Sequence, residues 1–230
     1  TLIITVDCGI TGNKEIELAK SFGIDTVVTD HHEPTETLPD AIAVVDCKRK
    51  DNKYPFNGLA GVGVAFKLTQ AISMRLGVRE EEYLKYLDLV CVGTISDIVP
   101  LVDENRTISK LGLKLVRQTR NIGLKVLLES ISYKKIDSTA ISFGVAPRIN
   151  ACGRMGHEKE ALELFLTDSK EEAEKITQNL NEYNQERQEI EKRIFNEAQK
   201  MMEDPEQQKL PCIVLGGENW HHGVIGIVSS

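Results

Sequence analysis

The sequence lacks the features that place a protein in a membrane or in an oxidising compartment. It has no run of eighteen apolar residues and no positively charged leader followed by an apolar stretch, so neither a membrane span nor a secretory signal is expected. Its five cysteines are scattered, odd in number and without a CxxC pair. This pattern argues against a disulfide framework and against a cysteine zinc site, and we expect a cytoplasmic protein.

An excess of positive charge is also missing. The formal net charge of −7 argues against a broadly basic nucleic-acid-binding protein, although it leaves room for a local basic channel. Bound divalent cations would offset several of the carboxylates that the formal count includes. With 41% hydrophobic and 27% charged residues, the chain has the composition of a globular protein that buries a core.

The first fifty residues alternate short apolar strands with a helix, which predicts an α/β fold with a parallel sheet flanked by helices. Strands are predicted at 2–6, 26–29 and 42–45, with a helix that Asn13 caps and that runs to Phe22. From about residue 61 the spacing becomes helical. Helices are predicted at 65–76, 81–92 and 108–117, with breaks at 103–105 and 119–123.

The clearest single element is a helix predicted over 169–203, which would be roughly 50 Å long. Ser169 and Glu172 form a capping box at its start, and Pro205 ends it. It could be a surface helix or a coiled-coil arm, but we favour a connector, because a strand at 212–215 and a glycine turn follow. The expected domains are residues 1–168, the connector helix 169–205, and the beginning of a second α/β domain at 206–230.

Polar residues follow the predicted strands where α/β proteins place their sites. Asp7 ends the first strand, Asp30, His31 and His32 follow the second, and Asp97 follows an apolar helix. Each signal is weak alone, since a strand-end Asp often caps a helix and a His pair often lies in a solvated turn. Together they predict converging carboxylates that a divalent cation would hold together, and mixed carboxylate and imidazole ligands suit manganese, iron or zinc.

These residues carry a family resemblance. Thr29-Asp30-His31-His32 is the motif that names the DHH phosphoesterases. Four further segments in the same order resemble RecJ-type nucleases of that superfamily: Val6-Asp7-Cys8-Gly9, the GTISDIVPL stretch at 93–101, PRINACGRMG at 147–156 and WHHGVIGIV at 220–228. The resemblance implies a DHH domain, a connector helix and the start of a DHHA1-like domain.

The resemblance also implies roles for individual residues. Asp7 would bridge two metal ions, His31 would be a direct ligand, Asp30 a ligand or an orienting residue, and Asp97 would complete the cluster. His32 would lie near the phosphate. Two divalent ions, Mn²⁺ by preference with Mg²⁺ as the alternative, would activate a water for attack on a phosphodiester.

The implied activity is a 5′-to-3′ exonuclease that releases 5′-mononucleotides from single-stranded DNA in recombination and repair. A single-strand-binding protein and a helicase are the implied protein partners. The chain starts and stops inside apolar runs and lacks the family's upstream Asp-x-Asp motif, so we expect a piece of a longer protein. Two alternatives remain open: another DHH phosphoesterase, acting on short oligonucleotides, cyclic dinucleotides or pyrophosphate, and a non-catalytic module that binds single strands.

A second group of residues is predicted to contact DNA phosphates. Arg148, Asn150 and Arg154 lie among small residues that allow a strand to approach, and arginine matches phosphate oxygens bidentately. The alternative is a tight interhelical turn with arginines in surface ion pairs.

Near the end of the chain, His222 and Gly223 open a predicted helix whose free amides could bind an anion, although a plain strand-turn-helix connection is the alternative. Trp220 is expected to pack rather than to stack on a base. The glycines of 58–63 indicate a close helix start rather than a dinucleotide fingerprint.

Overall fold

The structure, a computed structural model, describes residues 1–203 and 212–230. Within these residues one parallel sheet forms, with the strand order β1 (Leu2–Val6), β2 (Asp25–Asp30) and β3 (Ala43–Asp46). The central strand β2 is the most buried. The register pairs Val6 with Thr29 and Asp30 with Asp46, so the strands end together at one edge. The predicted parallel sheet flanked by helices is confirmed.

Helices make up most of the rest of the described chain. They are α1 (Asn13–Ser21), α2 (Gly61–Arg75), α3 (Glu80–Leu84), α4 (Leu87–Ser96), α5 (Asp103–Val116), α6 (Ile122–Ser130), the short turn α7 (Ser138–Ala140), a π-helix (Ile141–Val145), α8 (Ala146–Arg154), α9 (Glu158–Leu166), α10 (Lys170–Met202) and α11 (His222–Val228). None of these helices is both long and apolar enough to cross a membrane.

Several predicted boundaries were wrong. The break expected at 103–105 is the first turn of α5, where Asp103 and Glu104 favour the positive end of the helix dipole. Asn105 is fully buried there and donates hydrogen bonds to the carbonyl oxygens of Gly58, at 2.6 Å, and Pro100, at 3.1 Å. Because the Asn105 side chain is buried and hydrogen-bonded, the polar residues 103–105 can form the first turn of a helix instead of a break.

The helix predicted at 81–92 is two helices, α3 and α4. The break lets the buried Tyr83 ring meet Phe66 edge-on, with ring centroids 6.2 Å apart, while α4 is buried along most of its length. Asn13 is the first residue of α1 rather than its cap, a position that Gly12 takes. The strand expected at 212–215 does not form in the described residues, and Pro205 lies outside them.

Two compact units are present. The first contains residues 1–119 and 135–142, and the second contains residues 120–134 and 143–230. This division differs from the 1–168, 169–205 and 206–230 domains expected from sequence, which stay a prediction. The first unit has a core of α2, α3, α4 and α5 residues beside the sheet, including Val64, Phe66, Tyr83, Val90 and Ile108. The second unit buries Leu124, Leu127, Leu164, Leu180 and Ile194 completely.

The long helix α10 belongs to the second unit and packs on α6, α8 and α9. Ser169 caps it by accepting a hydrogen bond from the Glu172 amide at 3.2 Å. The Glu172 carboxylate reaches Thr167 instead, so only half of the predicted capping box forms.

A polar cluster lies where α9 crosses α10. Glu160 accepts hydrogen bonds from Asn179 and from the Tyr183 hydroxyl, both at 2.8 Å, and the His157 ring stacks on Tyr183 with centroids 4.2 Å apart. These bonds, the one from Asn179 foremost, hold the pKa of Glu160 below its ordinary value. The cluster ties the two helices together.

Candidate metal centre

The His31 imidazole is the centre of the candidate site. Its Nε2 atom is buried and makes no hydrogen bond in the described part of the chain. That nitrogen lies 3.0 Å from Asp7 Oδ1 and 3.5 Å from Asp97 Oδ2. The structure thus brings together the residues that directly follow β1, β2 and α4, which are separated by up to ninety positions.

His32 joins the same cluster from the other side. One potential ligand atom from each of Asp7, His31 and His32 falls within 4.8 Å of the others. The His32 ring is fixed because Nδ1 lies 2.7 Å from Asp30 Oδ1. This bond raises the pKa of His32. With Nδ1 engaged, Nε2 is the ring nitrogen left to meet a ligand.

Asp30 serves mainly to hold the other residues in place. Its Oδ1 atom accepts hydrogen bonds from the backbone amides of His31, at 2.8 Å, and His32, at 3.3 Å, besides the His32 ring. Its Oδ2 atom accepts the Ile10 amide at 2.9 Å. Burial works against the charged form, but these bonds together keep the pKa of Asp30 low. Of the two predicted roles, this geometry favours the orienting one; Asp30 as a metal ligand stays a prediction.

Asp97 is held at the C-terminal end of α4. Burial raises its pKa first, the neighbouring Asp7 charge raises it further, and the charges of His31, His32 and Lys48 act against both. The Asp7 charge thus works against the charged form of Asp97, and a bound cation would relieve that repulsion.

The backbone is strained where it presents Asp7. Asp7 has a φ of +61°, a conformation that few residues other than glycine adopt, and its amide donates to the Thr29 carbonyl oxygen at 3.0 Å. Gly9, two residues on, has a φ of +109°. The chain therefore turns sharply after β1 and leaves the Asp7 carboxylate facing the neighbouring strand end.

A glycine makes room for that carboxylate. A Cβ atom at Gly61, the first residue of α2, would lie 2.0 Å from Asp7 Oδ1 and 2.7 Å from Asp7 Cβ. The Asp7 side chain therefore packs directly against the N-terminal backbone of α2. The sequence indicated a close helix start at 58–63, and the structure shows which residue uses the space.

Asp46 is a buried carboxylate that sequence reasoning did not single out. It ends β3 in register with Asp30, and its Oδ1 accepts the Lys48 amide at 2.7 Å while Oδ2 has no partner in the described residues. Burial raises its pKa, and the Asp30 charge adds to the rise. The signal that identified Asp7 and Asp30, an Asp directly after a predicted strand, applies equally to Asp46.

The predicted phosphate-contacting residues lie in the second unit, on α8. Arg148 is partly buried and donates from Nε to Asn181 Oδ1, at 2.5 Å, and from Nη1 to the Gly144 carbonyl oxygen, at 2.6 Å. Asn150 and Arg154 are exposed and lie one turn apart on one face of α8. Arg148 thus has a structural task, while Asn150 and Arg154 face solvent.

The segment around His222 meets Arg154. Arg154 Nη1 donates to the Gly223 carbonyl oxygen at 2.8 Å, and a Cβ atom at Gly223 would lie 2.6 Å from the Arg154 carbonyl oxygen. His222 is exposed, but the Gly223 amide is occupied by His221 Nδ1 at 3.1 Å. Trp220 donates to Glu197 at 2.7 Å and packs on Gly217, in line with the expectation that it packs. The two predicted phosphate-binding segments are thus neighbours.

Comparison with known proteins places the chain. Residues 1–94 match the DHH family, N-terminal domain. The whole chain is 43% identical to the single-stranded-DNA-specific exonuclease RecJ of Bacillus subtilis (strain 168), of which it covers 29%. The fold is similar to that of RecJ in complex with Mn²⁺ from Thermus thermophilus, with a TM-score of 0.87, 38% identity and coverage of 99% of this chain and 34% of that chain. The chain thus resembles RecJ-type nucleases over its full length, and its first 94 residues match the DHH N-terminal domain.

A second solved structure agrees. RecJ in complex with Mg²⁺ from the same organism matches with a TM-score of 0.76 and 35% identity, over 99% of this chain and 32% of that chain. The family resemblance drawn from the five sequence segments is therefore confirmed. The chain spans about a third of the length of these relatives.

Proposed function

We propose that this chain forms part of a metal-dependent exonuclease that hydrolyses phosphodiester bonds in single-stranded DNA. The observation that carries the proposal is the convergence of the Asp7 and Asp97 carboxylates on the buried Nε2 atom of His31, in a chain that resembles RecJ-type DHH nucleases. The finer proposal is digestion from the 5′ end with release of 5′-mononucleotides, in recombination and repair. It is supported by the resemblance of the five segments.

The residues present fit a divalent cation. Carboxylates at 3.0 and 3.5 Å from the His31 Nε2 atom, with a further ligand atom from His32 nearby, offer the mixed oxygen and nitrogen donors that suit Mn²⁺. Mg²⁺ is the alternative, and RecJ of Thermus thermophilus is known in complex with each ion. Bound there, two such ions would supply Lewis-acid activation of water and of the phosphate.

The chain's own residues would orient this site. Asp30 fixes the His32 ring through Nδ1 and pins the amides of His31 and His32, so both imidazoles are set before any ligand arrives. His32 Nε2 is then available to donate a hydrogen bond to a phosphate oxygen. Because the Asp30 bond raises the pKa of His32, the protonated donor form is favoured.

Strand binding is assigned to the second unit. Asn150 and Arg154 share an exposed face of α8, and the neighbouring His222 and Gly223 extend it. We propose that Arg154, His222 and Asn150 contact the DNA backbone directly. Arg148 donates to Asn181 from Nε and to Gly144 from Nη1, and it would contact the DNA backbone through the remaining nitrogen, Nη2.

Metal binding is tested by titrating the 230-residue chain with Mn²⁺ and following free Mn²⁺ by electron paramagnetic resonance. Saturable binding is expected, with a large loss in Asp97→Ala or His31→Ala. Asp40→Asn is the matched control, because Asp40 is an exposed carboxylate of the same unit that pairs with Lys20. Binding that is equal in wild type and Asp97→Ala would remove Asp97 from the site.

Catalysis is tested in a chimera in which this chain replaces the matched region of the Bacillus subtilis relative. With Mn²⁺, the chimera is expected to release mononucleotides from labelled single-stranded DNA, to be stopped by a block at the 5′ end, and to lose activity in Asp97→Asn but not in Asp40→Asn. Preferential cleavage of dinucleotides or of cyclic dinucleotides would favour another DHH phosphoesterase. Strand binding without hydrolysis would favour a non-catalytic module.

A further inference from the structure

Most of the fixed charge around the candidate metal centre is negative. Asp7, Asp30, Asp46 and Asp97 gather at the edge where the strands end. The positive charge of Lys48 acts on both Asp97 and Asp46, and it opposes the burial that raises the pKa of each. A substrate phosphate that enters this site would be repelled by these carboxylates, and a nearby cationic side chain would offset part of that repulsion.

Lys48 is positioned by the sheet. It lies two residues after β3, and its amide is fixed 2.7 Å from the buried carboxylate of Asp46, which is in register with Asp30. Its ammonium group lies 3.3 Å from Glu33 Oε1, and Glu33 directly follows His32. The Lys48 side chain thus extends from the end of β3 to the DHH segment.

The contact with Glu33 is easily exchanged. The Glu33 side chain is 80% exposed, whereas the Lys48 side chain is 32% exposed. An ion pair with such an exposed partner contributes little stability and is weakened by salt. Exchange of Glu33 for a phosphate oxygen at the ammonium group would therefore cost little stability.

We propose that Lys48 is a substrate-binding residue whose ammonium group contacts a non-bridging oxygen of the phosphate held at the Asp7, His31 and Asp97 site. The inference rests on the proposed function and adds a cation that none of the five family segments includes. Lysine binds phosphate as a point charge, and that charge would favour the phosphodiester over a neutral ligand.

The same loop supplies a matched control. The Arg49 guanidinium already has protein partners, because it pairs with Asp51 and donates to the Val44 carbonyl oxygen. Lys50 is exposed and forms no ion pair in the described residues. Lys48→Met and Lys50→Met therefore remove the same charge from nearby positions, one paired with Glu33 beside the DHH segment and one exposed, and Lys48→Arg keeps the charge.

The experiment measures binding of a fluorescent oligothymidylate to the 230-residue chain by anisotropy, with Mn²⁺ present, across a series of KCl concentrations, and checks on a gel that the oligonucleotide is intact. Lys48→Met is expected to weaken binding roughly tenfold at low salt, as for loss of a hydrogen bond to a charged group. It should also reduce the slope of log affinity against log salt by about 0.7. Lys50→Met should change affinity less than about twofold, and Lys48→Arg should retain most of the binding.

A second readout separates substrate binding from a purely structural role. Mn²⁺ affinity in the absence of DNA should stay equal or rise in Lys48→Met, because a neighbouring positive charge is removed. A fall in Mn²⁺ affinity or in melting temperature would mean that Lys48 supports the fold and would overturn the inference. Equal oligonucleotide binding by Lys48→Met and wild type would overturn the inference about Lys48 but leave the proposed function standing. A wild-type chain that binds Mn²⁺ but no oligonucleotide would overturn the proposed substrate and the inference with it.

Discussion

Replacing Gly61 by alanine should disable the candidate metal centre without changing the identity of any predicted metal ligand. The new Cβ atom would lie 2.0 Å from Asp7 Oδ1, against 3.4 Å or more for an ordinary contact, so the carboxylate must retreat by more than 1 Å. Ligand distances tolerate errors of only about 0.2 Å. Loss of such support for a ligand typically lowers metal affinity about 10- to 100-fold, and we expect a loss of Mn²⁺ affinity in that range.

The matched control is Gly63→Ala. Gly63 is buried two residues further along α2, and its new Cβ atom would lie 3.3 Å from the flexible end of Leu59. Both substitutions place the same methyl group in the same helix, but only the one at Gly61 meets Asp7. Mn²⁺ binding, followed by electron paramagnetic resonance, should therefore fall in Gly61→Ala and stay near wild type in Gly63→Ala.

A double-mutant cycle gives a metal-independent readout. Alanine is favoured over glycine in a helix by about 0.5–1 kcal/mol, whereas overpacking costs about 1–3 kcal/mol. Gly61→Ala should thus be neutral or destabilising in wild type but stabilising in an Asp7→Gly background, where the side chain it meets is gone and the φ of +61° suits glycine. Urea unfolding monitored by circular dichroism measures all four proteins. Equal effects of Gly61→Ala in both backgrounds, or unchanged Mn²⁺ affinity, would refute the reasoning.

Three further predictions concern single residues. Ile98 is 88% exposed and has a φ of +59°, so Ile98→Gly should raise the free energy of unfolding by roughly 1 kcal/mol. Ile42→Gly, at an exposed isoleucine without a positive φ, should lower it. A lower free energy of unfolding in Ile98→Gly would show that the backbone at Ile98 is not strained. Glu160 has a lowered pKa in the folded state, so its stabilising effect is present above the unfolded pKa and is lost as the pH falls through the folded pKa. The melting temperature of Glu160→Gln should therefore fall less steeply than that of wild type when the pH is lowered below about 4.5. Parallel curves for the two proteins would show that ionised Glu160 does not stabilise the fold. Asp30→Asn should bring the pKa of His32 down toward its ordinary value of 6.5, measured by NMR titration of the ring proton, because the bond that raises it is weakened; an unchanged pKa would contradict that cause.

The parallel sheet and most of the centre could be predicted from sequence because strand ends are local signals. Apolar runs of four to six residues identify β1, β2 and β3, and parallel strands bring whatever follows them to one edge. That reasoning alone predicts that Asp7, Asp30 and His31 lie together. Applied consistently, it would also have found Asp46.

The remaining features depend on contacts distant in sequence. That Arg148 is held by Asn181, thirty-three positions away, cannot be inferred from the local PRIN pattern. Likewise, Gly61 looks like an ordinary helix start until Asp7 is placed against it. The break between α3 and α4 accompanies the packing of Tyr83 on Phe66, a tertiary contact that the continuous helical pattern does not show.

Three non-glycine residues have a positive φ in the described part of the chain; Asp103 begins α5, and the other two lie at the site carboxylates. Asp7 has a positive φ, and so does Ile98, directly after Asp97. Each such position costs about 1–3 kcal/mol and persists only where the surrounding structure holds it. At Asp7 the holding contacts are visible: the hydrogen bond to Thr29 and the close packing on Gly61. Because these contacts already order Asp7, its side chain would lose little conformational entropy when a cation binds. The strained backbone thus lowers the stability of the fold but would raise its affinity for a metal ion.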